Sequence, residues 1–476
     1  MKKLLFLLTI TFTINAFSQC PIIDVVLGSQ ADVDAFPITN PGCTNLTVNL
    51  SIGKSDFTAS DINDLSPLNG LNTVGGYLYI HDNPNLSNFS GLDNISSITI
   101  GIYIDNNSGL LNFSGLSGLT SVGYVDVRNN ASLTTLSALS PNLSNMTDYL
   151  SVYNNGSLSD FSGLNGVTSI SAAVYVGYNT NLMSFSGLNA LTTIGDYFQI
   201  ENNASLLNFS GLDLLTSITG ITYINNNTAL ENFSGLNTLE TIGGNLNIAN
   251  NSGLLNFSGF DALISIGTSF IVENNNTILN LSGFNVLASV GTFVRIKDNA
   301  VITSLDGLEA LTAVTTNLEI DGGMPNLTSI SGISNIDYTS ITGLFIRNNT
   351  SLAICEELNI CTYLDNGGAS SISGNAIGCA TVAEVNAACI PVLGVDEHSL
   401  ENKFSVYPNP VKDILNIKLT EGEEIEKILV YSTLGKLVKE YKITNNTINI
   451  ESLASGIYIL KVITKDAILT EKIVKT

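Results

Sequence analysis

Apolar residues along this chain recur in a fixed order every 24 residues. In "NLNIANNSGLLNFSGF", Asn245 to Phe260, Leu246 and Ile248 alternate with Asn247 and Ala249, the two-residue period of a β-strand. Apolar residues then come three apart, at Leu254, Phe257, Phe260, Leu263 and Ile266. That spacing suits a coil wrapping a narrow core and is too regular for loops. The phrase Leu-x-x-Phe-Ser-Gly-Leu, with variants, puts its Phe position at Leu65, Phe89, Phe113, Leu136, Phe161, Phe185, Phe209, Phe233, Phe257, Leu281, Leu305 and Ile330. Strand phrases from "YLYIHDN" to "GLFIRNN" keep step with it, so twelve coils are legible from Tyr77 to about Cys355.

One such coil cannot bury its own apolar residues, whereas stacked coils share a continuous core. Each strand is followed by an asparagine, in a column running Asn83, Asn107, Asn130, Asn155, Asn179, Asn203, Asn227, Asn251, Asn275, Asn299 and Asn349. A buried Asn at every turn can bond the bending backbone and its stacked neighbours. Gly323 interrupts the column, which predicts a different bend in that coil. Gly259 stands where the chain must turn without a Cβ.

Leu-x-Ile-x-x-Asn-x-x-Leu at this period resembles a leucine-rich repeat. The further phrase "LETIGGNLNI" makes it most similar to the receptor L-domain variety. The resemblance covers about Asp61 to Asn349. It implies an all-β, right-handed β-solenoid of about 12–13 coils. It implies fold and says little of function, since such solenoids bind many things.

The ends of a solenoid need caps. Segment 19–60 reads as the N-terminal cap, 61–354 as the solenoid and 355–390 as the C-terminal cap. "SQADVDAF" has the pattern of a short helix, and Cys20 and Cys43 bracket it, which predicts a disulfide between them. "CEELNIC" and "TVAEVNAAC" also read as helical. A Cys379–Cys389 bridge would run the length of such a helix, too far for a disulfide. Cys355 and Cys379 are one repeat apart, so Cys355–Cys379 with Cys361–Cys389 is expected. The alternative, Cys355–Cys389 with Cys361–Cys379, stays open at this stage. No C-x-x-C pair occurs and the histidines are remote from the cysteines, so neither metal nor cofactor is expected.

Beyond a linker at 391–403 the pattern changes to strands split by Pro-Asn-Pro, Gly and Asn, which reads as a small antiparallel β-sandwich over 404–476. Its phrases are "YPNP" (Tyr407, Pro408, Asn409, Pro410), "STLGK" with Gly435, "LASGIYILKV" with Gly456, and "KIVK" with Lys472 and Lys475. Together they resemble the C-terminal sorting domain of the type IX secretion system. That resemblance implies a Bacteroidetes-type bacterium, with the secretion machinery as partner. It also implies passage through the periplasm to a secreted or outer-surface location, and removal of this domain at or after export.

The first residues fit export. Segment 1–18 has two lysines, an apolar run and the small-residue pattern Ala16-Phe17-Ser18, and reads as a signal peptide. Cys20 would suit a lipoprotein signal, but Gln19 is a poor residue before a lipidated cysteine. No later segment is long and apolar enough to span a bilayer, so no transmembrane segment is expected in the mature chain.

Charge sharpens the division. From Gln19 to Val395 there are 29 acidic and 5 basic residues, against 12 and 11 from Asp396 onward. An acidic solenoid argues against nucleic acid as a partner. Catalytic motifs are missing: there is no Gly-x-Ser-x-Gly elbow and no phosphate loop. His81 is expected on an outward strand face and His398 in the linker, both solvated.

The remaining candidate chemistry lies on the outward strand face. Tyr79, Tyr103, Tyr175, Tyr223, Arg295 and Glu319 belong to one column, and His81, Arg128, Tyr153, Lys297 and Arg347 to the next. Four of the solenoid's five basic residues fall in these columns. Rigid tyrosine surface and paired guanidinium donors are what recognition needs. Strand propensity alone would account for the tyrosines, though not for the arginines.

Two functions follow. The first is a non-enzymatic secreted or cell-surface binding and adhesion protein that holds a protein or glycan. The second is a polysaccharide-degrading β-helix enzyme using the cluster Arg295, Lys297, Asp298, Glu319 and Asp321. Coils of nearly constant length supply no loops to wall a cleft, which favours binding. "NFSG" matches a glycosylation sequon at Asn88, Asn112, Asn208, Asn232 and Asn256, but the period gives it another reason. Its Phe fills the core, its Gly turns the chain and its Asn and Ser face water.

Overall fold

The computed structural model describes residues 20–139, 142–389, 404–419, 425–433, 436–441, 446–464 and 468–476. The signal segment 1–18, the linker 391–403 with His398, and Gly435 lie outside the described residues. The chain divides into two compact units, Met1–Cys389 and Ile390–Thr476.

In the first unit the alternating phrases form strands such as Leu246–Ala249, and each pairs in parallel with its equivalent one coil on. The register is offset by one repeat, Asn247 lying opposite Tyr223 and Ile271. A second ladder of two-residue strands, such as Thr241–Ile242, stacks the same way. The result is a parallel β-solenoid of about 14 turns. Its end turns include Val25–Leu27, Leu50–Ile52 and Ser370–Ser373, where the repeat phrases have faded but the ladder continues.

Leu254, Phe257, Phe260, Leu263 and Ile266 are all buried. Phe161, Phe185, Phe209, Phe233 and Phe257 stack along the axis with ring centroids 5.3 to 5.9 Å apart. Full burial stabilises each by roughly 2–3 kcal/mol, and only stacking makes it possible. Gly259 has φ +115°, and a Cβ there would lie 2.0 Å from the Phe233 carbonyl oxygen, so no larger residue fits.

The asparagine column is continuous for ten coils. The N–H of Asn227 donates to Asn251 Oδ1 at 3.0 Å, and Asn251 Nδ2 donates back to the Ile224 carbonyl at 3.0 Å. Ser60 Oγ starts the chain on Asn83 and Asn299 ends it. At Gly323 the column breaks: Gly322 and Gly323 both have positive φ, and Asn349 Oδ1 is left buried without a partner.

Three disulfides close the ends: Cys20–Cys43, Cys355–Cys379 and Cys361–Cys389, with Cα separations of 4.8, 5.5 and 5.6 Å. Short helices cover both mouths of the core, Gln30–Thr39 at one and Leu358–Asp365 with Val382–Ala388 at the other. Ser29 caps the first by accepting from the Asp32 N–H, and Val33 and Phe36 turn its apolar face inward.

The second unit is antiparallel. One sheet orders Phe404–Tyr407, Ile414–Leu419 and Thr447–Asn449. The other orders Leu437–Tyr441, Ile425–Ser432, Gly456–Thr464 and Ile468–Lys475. Leu415 and Ile417 of the first sheet share a core with Val430, Leu460 and Val462 of the second.

Candidate functional site

Because the ladder is in register, outward side chains form straight columns. Tyr79, Tyr103, Asp126, Ser151, Tyr175, Gln199, Tyr223, Asn247, Ile271, Arg295, Glu319 and Phe345 are successive partners. Beside them run His81, Asp105, Arg128, Tyr153, Gly177, Glu201, Asn225, Ala249, Glu273, Lys297, Asp321 and Arg347. The expected face is therefore continuous, but its two halves differ.

The later half is charged and self-neutralised. Arg295 Nε bonds Glu319 Oε2 at 2.6 Å, and Arg347 Nη2 bonds Asp321 at 2.5 Å. Lys297 Nζ lies 3.2 Å from Glu273 and 3.3 Å from Asp298, and those hydrogen bonds raise its pKa. Register explains the pairs: opposite charges face one another across adjacent strands. The cations expected to be available for recognition thus begin from bonded partners, and the residues of the enzyme-like cluster are tied to one another or to neighbours.

The earlier half is aromatic. Tyr79 and Tyr103 pack edge to face at 4.7 Å, and Arg128 stands 5.7 Å over the Tyr103 ring while its Nε bonds Asp126 at 2.6 Å. A third column adds Tyr77, Tyr124, Tyr149 and Tyr197, on the same face one step earlier in each strand. Tyr124 and Tyr149 stack at 4.8 Å with planes 3° apart. Burial pushes the phenols of Tyr79, Tyr103, Tyr149, Tyr153 and Tyr175 above their ordinary range, so they are neutral near pH 7.

Within this half opens a cleft of about 350 Å³, lined by Arg128, Ser151, Tyr153, Tyr175, Gln199 and Glu201 around Gly177. Gly177 itself is buried beside the cleft: the Tyr153 ring and Glu201 Cγ close over its backbone so tightly that a Cβ would stand 2.9 and 3.3 Å from them. The next residue, Tyr178, packs on Tyr153 at 4.9 Å with φ +58°. Equivalent corners carry Asn, Asp or, at Gly322, glycine, which tolerate this left-handed backbone at lower cost.

His81 departs from the expectation of a solvated side chain. It is 1% exposed, stacked on Tyr79 at 4.0 Å and covered by Phe57 at 5.1 Å. The irregular segment after Leu50–Ile52 folds Phe57 over the strand end, which the repeat pattern cannot foretell. Ser51 Oγ lies 3.1 Å from His81 Nε2, and Asp82 Oδ2 lies 2.9 Å from Nδ1. This is the order of a nucleophilic triad. Here the imidazole is sealed, and Asp82 is also engaged by Asn106, so the chain of bonds ties the cap to the first coils. Among the described residues no group of three or more His, Cys, Asp or Glu could hold a metal ion.

The back of the solenoid differs in kind. Leu207, Leu255 and Leu279 project there about half exposed, in one column interrupted by Glu231.

In the second unit the "YPNP" residues meet the end of the chain. Asn409 Nδ2 donates to the Lys472 carbonyl at 2.7 Å, and its Oδ1 accepts from Val474 at 2.8 Å. Gly456 is the register partner of Lys475, and Asn416 Nδ2 holds the Tyr407 carbonyl at 2.9 Å. Phrases 65 residues apart in sequence thus form one structure. Residues 405–476 match the secretion system C-terminal sorting domain.

The sorting domain marks the protein for type IX export, to the outer surface or beyond. Among the described residues no helix is long and apolar enough to cross a membrane. No curated protein sequence matches the chain.

Sequence reasoning found two face columns and missed the third. Its signal was the recurrent Tyr in "GGYLYI", "GYVDV", "DYLSV" and "DYFQI". It placed Gln199 and Glu201 in those two columns without singling them out, and it passed over Tyr178, which packs on Tyr153 beside the cleft.

Proposed function

We propose that this is a non-enzymatic binding or adhesion protein, delivered by type IX secretion, that holds a protein or glycan on the strand face of its solenoid. The observation that carries the reading is the distribution of chemical variety. The Asn, Phe and Gly columns repeat almost unchanged, while the strand face alternates among Tyr, Arg, Gln, Glu, Asn and Gly from coil to coil. The packed columns depart from repetition only here and there, as at Thr222 and Gly323, whereas the face changes at almost every coil. The 24-residue period, the asparagine column and the "LETIGGNLNI" phrase support assigning the solenoid to the leucine-rich, receptor L-domain kind.

Against the polysaccharide-degrading alternative, a base for proton abstraction must be free to accept a proton. Arg295 and Lys297 would first have to leave Glu319, Glu273 and Asp298. The test is to incubate the full chain with a panel of polysaccharides and isolated surface proteins, following capture and chain length together. Capture without shortening is expected. Any turnover that disappears in Lys297→Ala would overturn the binding reading.

A further inference from the structure

We infer that the cleft beside Gly177 is a subsite for a neutral pyranose sugar. This rests on the strand face being the binding surface, and it names the ligand class for one place on that face.

Two columns are broken in the same coil. Gly177 removes the side chain where its neighbours carry Tyr153 and Glu201, and Tyr178 puts a bulky ring at a left-handed corner that other coils give to Asn, Asp or, at Gly322, glycine. Gly177 lets Tyr153 and Glu201 close over its backbone at the side of the cleft, and Tyr178 adopts a disfavoured backbone while standing against Tyr153.

The chemistry around the cleft is that of a polyol site. Tyr153, 37% exposed, and Tyr175 line the cleft and offer flat rings, whose electron-rich faces suit the C–H face of a pyranose. Polar groups surround them with complementary roles. Arg128 uses Nε on Asp126 and keeps its other N–H donors, while Gln199 and Glu201 make no side-chain hydrogen bond among the described residues. One donor, one acceptor and one amide match vicinal hydroxyls, each of which both donates and accepts.

Charge selects among sugars. With 29 acidic against 5 basic residues from Gln19 to Val395, and Glu201 lining the cleft, an anionic ligand is disfavoured. A volume near 350 Å³ is at the small end of ligand sites, which fits a short saccharide rather than a folded partner.

Saturation-transfer NMR on the full chain tests this, with cellobiose, maltose, lactose and N,N′-diacetylchitobiose as neutral probes and digalacturonic acid as the anionic one. Saturable binding of at least one neutral disaccharide is expected, weakened tenfold or more by Gly177→Val and by Gln199→Ala. Tyr178→Asn should weaken the same binding while raising the melting temperature, which a purely structural role for Tyr178 would not do. Absence of neutral binding, preference for digalacturonic acid, or indifference to both Gly177→Val and Gln199→Ala overturns the inference. Should the saccharides fail while face variants still lose capture of surface material, the binding face stands and only the sugar subsite falls. If capture ignores face variants as well, the reading beneath it falls too.

Discussion

The side-chain oxygen of Asn409 accepts the backbone N–H of Val474 at 2.8 Å, joining the start of the sorting domain to its last strand. The same side chain donates to the Lys472 carbonyl, so one residue holds both polarities of the terminal backbone. Asn409→Ala would release both bonds, at a cost of about 1–2 kcal/mol to that domain. Hydrogen exchange at Lys472 to Val474 should accelerate and the exported fraction should fall. Unchanged protection would show that Asn409 does not hold the strand.

The two kinds of asparagine in each coil should respond differently. Asn251→Ala strips the acceptor from the Asn227 N–H and leaves the Ile224 and Ala249 carbonyls short of a donor, all within the interior. A loss of about 3 kcal/mol is expected. Asn256→Ala removes only a bond to the Ser258 N–H near the surface and should cost less than about 1 kcal/mol. Equal effects in denaturant titration would contradict this division of the "NFSG" phrase from the ladder.

Thr222 occupies a core column otherwise filled by residues such as Phe198 and Leu246, and its hydroxyl is buried without a partner. Thr222→Val keeps the shape and removes the stranded polar group. Thermal unfolding should show a gain of about 1 kcal/mol, and a loss would mean that the hydroxyl is satisfied in solution.

Alkali should unfold the solenoid through its tyrosine face. Burial raises the phenol pKa of Tyr79, Tyr103, Tyr124, Tyr149 and Tyr175, so above pH ~10 the unfolded chain gives up protons that the folded one retains. The tyrosine contribution to stability is therefore constant below that pH and declines as pH rises beyond it. Phenolate absorbance should climb together with loss of the β-sheet signal. Tyrosines that ionise near pH ~10 in a folded chain would refute the coupling.

The solenoid was legible because its period repeats a packing requirement. Phe257 and Gly259 recur since every coil must fill the same core and pass the same neighbour. Asn250, at φ +57°, was harder to assign: "NN" shows two asparagines but not that the first turns the corner and the second builds the ladder. The site was less legible because it arises from departures and cross-coil neighbours. His81 is covered by Phe57 from the cap, and Arg295 meets Glu319 one coil away. Gly177 becomes informative only when Tyr153 and Glu201 are seen on either side of it.

The central claim is that binding belongs to the strand face. Its most direct test compares capture of surface proteins and glycans by the full chain carrying Tyr153→Ala with Tyr175→Ala, or Leu255→Ser with Leu279→Ser on the back. All four side chains are at least partly exposed, so both variants should fold. The account predicts at least a tenfold loss of affinity for the tyrosine pair and none for the leucine pair. Loss confined to the leucine pair, or full capture by the tyrosine pair, would contradict it.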